Sequence, residues 1–477
     1  MRAVAKPRSE LSRQVVKAMG LFGGVQSATI LCGIVRVKLV AMWIGAAGVG
    51  IFGLYNTAID MIGAITQLSL RNSAVRDITS ARGADALAVM VTVVRRWAWA
   101  LGLAGALLTL VLSPVLSRTT FGDESHAWGF MLVSVAVLIQ SVCGGEAAIL
   151  QGKGLLKRLA NAYTWSVVIG LVVSVPMYRI WGEASIVPSI VVYNVAMFMT
   201  VMLMRDRAPR PQEPVTWRRT VADGRGFAVL GAYMTVSTFV TYLMSYAFMS
   251  YLNVWADADT LGYYQSGYTL VNRYVGLVFT AIAVEYYPRL SRSIGSDRRT
   301  GTIVSHELTI VMWVLMPVVA VFIAADRLIV ELLYTSDFLV VLPYITWAMA
   351  GIVLRGVSWC MAFVILARGD GRTFLVTEVT SGAVGLVLNI LGFHFYGFTG
   401  LGVSYALWYA VYTVMIWYVY RYRYGLRLGR GVWPLAVSAL CVTVGCIVAR
   451  NSLGWWWLAA LAGMSMLYGT FRYVFRR

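Results

Sequence analysis

Acidic residues are scarce in this chain, 21 Asp and Glu against 40 Lys and Arg in 477 residues, and there are only three histidines. His126, His306 and His394 are too few and too scattered to suggest a metal centre. The five cysteines (Cys32, Cys143, Cys360, Cys441, Cys446) lie within apolar stretches and show no CxxC spacing. They read as small core residues, and their spacing argues against a disulfide frame and against a zinc site. No GxxxxGK[ST] loop occurs, which removes ATP as the driving cofactor. Charged residues make up only 13% of the chain while 59% is hydrophobic, with a mean hydropathy of +0.72, which excludes an ordinary soluble protein. No cleavable signal is expected, because the first sixteen residues are polar and basic and the apolar stretch near 17–44 is too long for one.

What the chain does have is apolar runs. Fourteen are predicted, near 17–44, 48–70, 89–112, 127–150, 161–181, 186–204, 226–250, 263–288, 306–325, 340–366, 373–394, 399–420, 432–449 and 455–474. Most reach the roughly 20 residues that cross about 30 Å of hydrocarbon. The fold class expected is therefore an all-α polytopic membrane protein. Lys and Arg alternate along its loops. The N-terminal tail, every second loop and the C-terminal tail are basic, whereas the intervening loops carry only Arg118, Arg179, Arg327 and Arg450. Basic loops stay cytoplasmic, so both termini are expected inside. The net charge of +19 lies in those loops, which argues for anionic lipid head groups as its partner and against nucleic acid.

The chain also echoes itself. Gly50-Ile51-Phe52-Gly53-Leu54-Tyr55-Asn56-Thr57 matches Gly262-Tyr263-Tyr264-Gln265-Ser266-Gly267-Tyr268-Thr269 in its aromatic and small-residue pattern. Ile149-Leu150 is matched by Ile365-Leu366, and Arg205-Asp206-Arg207 by Arg421-Tyr422-Arg423. Offsets of 212 to 216 predict two parallel six-helix repeats related by an axis along the membrane normal. The expected organisation is a cytoplasmic tail (1–16), an N-lobe (17–204), a Pro- and Arg-rich cytoplasmic linker (205–225), a C-lobe (226–420) and an added helical hairpin (432–474). Trp455-Trp456-Trp457 reads as an interfacial belt.

Charges at depth cost roughly 2.5–3.5 kcal/mol each on insertion scales, so each needs a reason. At about 100° per residue, Gln26, Thr29, Gly33 and Arg36 share one quarter of a wheel, whereas Lys38 points among apolar residues near a helix end and can snorkel. Gly262, Ser266, Thr269, Arg273, Gly276 and Thr280 form a second stripe, and Arg355 lies with Ala348, Gly351, Ser358 and Ala362. Three arginines on small or polar faces are expected to line a cationic cavity between the lobes, where they would fork onto phosphate oxygens. The opposing reading pairs each arginine with a buried acid, for which Asp60, Glu146 and Glu378 are available. Asp60 shares a stripe with Gly53, Asn56, Thr57, Gly63 and Gln67, and Glu378 one with Ser381, Gly385, Asn389 and Gly392. Either acid could carry a proton, bind Na⁺ or act as counter-ion to the arginines. Glu146 and Glu285 sit near span ends and read as interfacial. Asp257-Ala258-Asp259 resembles the metal-holding pair of polyprenyl-sugar transferases, but no soluble domain surrounds it.

The run from Val40-Ala41-Met42-Trp43-Ile44-Gly45 to Gly53-Leu54-Tyr55, then Gly262-Tyr263-Tyr264-Gln265 and Tyr287-Pro288-Arg289-Leu290-Ser291, carries a resemblance. So does the phrasing from Ala367-Arg368-Gly369-Asp370 through Asn389-Ile390-Leu391-Gly392 to Gly400-Leu401-Gly402-Val403-Ser404. Together they resemble Wzx-type O-antigen flippases of the multidrug/oligosaccharidyl-lipid/polysaccharide exporter superfamily, over essentially the whole chain. The resemblance implies MATE-like lobes around a central cavity. It also implies flipping of an undecaprenyl-diphosphate-linked oligosaccharide across the bacterial inner membrane by alternating access, with a polysaccharide polymerase and a chain-length regulator as partners. It transfers no individual binding residue. The alternatives are a cation-coupled exporter of small drugs on the same architecture, which should favour acids over arginines, and a membrane-embedded transferase, which should need Asp257 and Asp259.

Overall fold

Backbone polar groups inside hydrocarbon have to be satisfied within their own segment, which leaves helices as the economical solution for so apolar a chain. The computed structural model describes residues 28–66, 74–75, 77–79, 81, 83–206, 211–429 and 431–453, and every regular element among them is helical. The expected tail (1–16), the last span (455–474) and its tryptophan belt lie outside the described residues.

The chain divides between Tyr246 and Ala247 into two units. The first holds α1 (28–43), α2 (Ala46–Thr66), α3 (Ala84–Phe121), α4 (Ala127–Gly152), α5 (Leu156–Trp181), α6 (Ile186–Met204) and most of α7 (Trp217–Trp255). The second holds the end of α7, α8 (Ala258–Tyr268), a π-helical turn (Thr269–Tyr274) and α9 (Gly276–Ser291). It continues with α10 (Asp297–Leu333), α11 (Leu342–Ala367), α12 (Gly371–Tyr418), a second π turn (Val419–Arg423) and α13 (Val432–Leu453).

Side-chain contacts give the helix directions. In the first unit Ser141 Oγ donates to the Ala98 carbonyl (2.9 Å) and Arg95 to Glu146, so α3 and α4 run antiparallel. Ser166 meets Thr200 across α5 and α6, and the Gly170 backbone lies against the Tyr193 ring, a second antiparallel pair closed at Gly182. By contrast, α3 and α7 run parallel. Arg96 donates to the Val215 carbonyl (2.6 Å) and Thr220 (3.0 Å) at one end, and Thr120 meets the Tyr246 hydroxyl (2.5 Å) at the other. The linker expected over 205–225 is thus helical from Trp217 onward, three residues after Pro214 and with the Arg96 guanidinium over the Trp217 ring.

In the second unit α12 is continuous by hydrogen bonding yet is a hairpin. Ser404 Oγ donates to the Leu388 carbonyl, Trp408 Nε1 to Ser381 Oγ, and the Tyr412 hydroxyl to Glu378. Partners that approach each other in sequence at this nearly constant sum lie on antiparallel helices. We call these α12a (371–396) and α12b (398–418), with Gly397 (φ 55°) at the corner. That backbone region is open to glycine and strained for any residue with a Cβ.

Eight helical stretches, or nine if the bent stretch from Ala258 to Ser291 is one span, are long and apolar enough to cross a membrane among the described residues. Fourteen were expected. Two of the eight, of 49 and 53 residues, contain the corners at Gly182 and Gly397; at 1.5 Å per residue each is more than twice the hydrocarbon thickness.

Element positions recur along the chain. Ala46 and Ala258 open helices 212 residues apart; Ala127 and Leu342, Leu156 and Gly371, and Trp217 and Val432 do so 215 apart. The corner glycines keep that spacing and nearly the same backbone, Gly154 (φ 72°) with Gly369 (69°) and Gly182 (54°) with Gly397 (55°).

Candidate functional site

In the second unit a polar seam crosses an otherwise apolar interior. Arg355, midway along α11, donates through Nη1 to Asn272 Oδ1 (2.9 Å) in the first π turn and to the Tyr405 hydroxyl (3.3 Å) on α12b. Tyr405 in turn donates to Asn272 Oδ1 (3.0 Å). The guanidinium lies 5.2 Å from the Phe279 ring centroid and 5.6 Å from that of Tyr409. Gly351, one turn before Arg355, lets Tyr405 pack this close, because a Cβ there would stand 2.5 Å from its ring. Two hydrogen bonds to a charged group, at about 1.5–3 kcal/mol each, and two aromatic faces offset the cost of an arginine at depth.

The direct hydrogen-bond partners of Arg355 are neutral. Glu378 holds the next place in the seam: it accepts a 2.6 Å hydrogen bond from Tyr412, and the Arg355 charge acts on it. The Asn272 amide nitrogen is buried without a hydrogen-bond partner, a donor left for an acceptor from elsewhere.

Arg36 belongs to the first unit. Its guanidinium stacks 4.0 Å above the Tyr193 ring of α6, and no carboxylate pairs with it among the described residues. A stacked guanidinium keeps its edge of N–H donors free for an oxyanion. Asp60 and Lys38 are half-buried, and each has a polar or electrostatic partner. Of the stripe expected with Arg36, Thr29 and Gly33 are described and Gln26 is not.

Arg273 is exposed. Its wheel assumed an unbroken α-helix, but Thr269–Tyr274 is π-helical, with the Val275 N–H reaching the Leu270 carbonyl five residues back. The wider turn shifts the angular position of its later residues, so Arg273 leaves the face of Ser266, which is fully buried. It still adjoins Asn272, so Arg273 and Arg355 meet at one level of the unit.

Other acids have structural partners. Glu146, 4% exposed, takes a bidentate pair from Arg95 (2.6 and 3.1 Å), while Arg95 also donates to the Asp206 carbonyl. Glu146 is therefore a buried ion-pair partner rather than an interfacial residue. Asp257 caps α8, accepting from the Thr260 N–H at 2.6 Å. Glu285 is 83% exposed and sits 3.5 Å from Arg289. The residues missed by charge-based reading are Tyr405, Tyr409 and Tyr412. Their i, i+4, i+7 spacing puts them on one face of α12b, and that periodicity was the available signal.

A fold of long apolar helices, with cations held by aromatic faces and a chain crossing the bilayer many times, defines a multi-pass membrane protein. Its backbone is similar to that of a lipid II flippase, MurJ, in an inward closed conformation (TM-score 0.72, 13% identity, 96% of this chain and 99% of that one). It is also similar to an inward-facing MATE-family multidrug transporter (TM-score 0.68, 14% identity, 87% and 96%). In sequence it is 21% identical to the lipid III flippase of Escherichia coli (strain K12) over 392 residues, 80% of this chain and 92% of that protein. The family profile described as polysaccharide biosynthesis protein matches residues 84–343. The chain belongs to that family.

Proposed function

We propose that the protein is a flippase for a polyprenyl-diphosphate-linked oligosaccharide, an O-antigen or related surface-polysaccharide repeat unit, working by alternating access in the bacterial inner membrane. The observation that carries this reading is Arg355: a cation deep in a membrane helix, hydrogen-bonded only to neutral groups and beside the unpartnered Asn272 amide. An acceptor-rich diphosphate matches both. Arg36 and Arg273 are its companions as head-group ligands, one from the first unit and one from the second. Asp60 and Glu378 are counter-ions or carriers of a coupling H⁺ or Na⁺. Similarity to proteins named as lipid II and lipid III flippases supports the substrate class.

The architecture we propose is fourteen helices with both termini cytoplasmic. Two parallel six-helix repeats (17–204 and 226–420) are joined by a linker and followed by a hairpin (432–474). The paired corner glycines and the parallel course of α3 and α7 support it, since odd-numbered spans then share one direction.

The test is leaflet-resolved accumulation of lipid-linked oligosaccharide in depleted cells, read with a membrane-impermeant sugar label. Intermediates trapped on the cytoplasmic side, with synthesis intact, are expected; normal outer-leaflet delivery would overturn the reading. Export of small molecules is the second reading, favoured by Glu378 and by the MATE likeness. It predicts drug hypersensitivity of a deletion strain with unchanged surface polysaccharide.

A further inference from the structure

We infer that the open end of the α12 hairpin binds the hydrocarbon tail of a polyisoprenoid lipid. The inference rests on the flippase reading, because it assigns the tail of the same guest. The groove holds about 400 Å³ and is lined almost wholly by apolar atoms, with Leu388, Leu391 and Phe395 on α12a and Val403 and Leu407 on α12b. It exists because the two helices touch at one level: a Cβ on Gly392 would stand 1.9 Å from Ser404 Oγ, and one on Gly400 1.9 Å from the Gly392 carbonyl. With no side chains at the contact, the larger residues flanking it splay outward. Leu391, Phe395 and Leu407 are 47%, 68% and 51% exposed.

Two observations choose the occupant. The groove lies on a hairpin apolar enough to span the bilayer, so what covers it is hydrocarbon and not water or a polar peptide. The same interhelical seam is polar at its other end, where Tyr412 binds Glu378 and Trp408 binds Ser381, and Tyr405 of α12b touches Arg355. From Glu378 to Gly392 is fourteen residues, about 21 Å along a helix. A ligand with an anionic head and a chain longer than that can occupy both ends of one seam. A diacyl lipid anchored at the bilayer surface has no reason to place its head at Arg355.

The experiment uses the purified full chain in nanodiscs and a diazirine-bearing polyprenyl phosphate as probe. Photolabelling should map to peptides within 388–407 and be displaced by unlabelled polyprenyl phosphate but not by excess phosphatidylglycerol. Leu391→Trp and Leu407→Trp, which fill the groove from exposed positions, should each abolish the label without lowering the thermal unfolding midpoint. Equal displacement by phosphatidylglycerol, or labelling spread over all helices, overturns the assignment. Should a variant misfold, the wild-type competition still decides. Lost labelling with normal flipping in cells overturns the groove alone, whereas intact labelling without flipping overturns the flippase reading alone.

Discussion

At Arg36 and Tyr193 the cation–π contact separates a ring requirement from a hydroxyl requirement. Tyr193→Phe keeps the face under the guanidinium and should leave transport close to normal. Tyr193→Leu removes about 0.5–2 kcal/mol of attraction and should reduce surface polysaccharide without affecting membrane insertion. Gly170→Ala should resemble Tyr193→Leu, since a Cβ there would meet the Tyr193 ring at 2.3 Å. Asp370, outside the spans, offers a pH test. Burial pushes its carboxyl up, but hydrogen bonds from Thr373 and Tyr424 and the Arg423 charge outweigh it and hold the group at about 2, below its ordinary 3.8. A depressed pKa stabilises the folded state above the unfolded value, and that contribution fades as pH falls from about 4 to about 2. Wild type should therefore melt higher than Asp370→Asn at pH 7, with the gap closing near pH 2; a pH-independent gap would contradict the account. The arginines themselves were legible in the sequence, because a charge inside an apolar run stands out. Their company was not: Tyr193, Tyr405 and Asn272 come from distant helices, and a wheel reports a face without naming what it faces.

The α12 hairpin shows where sequence reading of elements succeeds and stops. Its two spans were expected at 373–394 and 399–420, and the helices lie at 371–396 and 398–418. The hydropathy dip at the corner marked the break. The register between them was not visible, because it is set by glycines that look unremarkable in a chain with 45 of them. The first π turn was invisible for a different reason: an inserted residue leaves composition unchanged while rotating the face of everything after it, which is how Arg273 went astray. Two substitutions separate these glycine roles. Gly397→Ala forces a Cβ into a backbone region that costs about 1–3 kcal/mol and should lower the melting temperature. Gly276→Ala, in a helix with nothing within 4 Å of the added atom, should be neutral or gain about 0.5–1 kcal/mol. If both melted alike, the corner would not depend on its glycine.

Across the molecule, offsets of 212 to 216 read from short sequence matches return as helix starts and corner glycines spaced 212 to 215 apart. α13 follows α12 at the place where α7 follows α6, and Thr443 of α13 lies against Met316 of α10 while α7 packs along α3. The helix described as an addition thus continues the same register for one more element. That regularity makes topology testable without locating either terminus. If the halves are parallel repeats, Gly182 and Gly397 face one side of the membrane and Gly154 and Gly369 the other. Single cysteines at these four positions, in a cysteine-free background, should divide accordingly when spheroplasts are treated with an impermeant maleimide. Positions 182 and 397 should label readily, and positions 154 and 369 only after permeabilisation, since the loops beside them carry Lys153, Lys157, Arg158, Arg368 and Arg372. Opposite behaviour of Gly182 and Gly397 would require an odd number of crossings between them, and the parallel arrangement would fall whatever the similarity of their backbone angles.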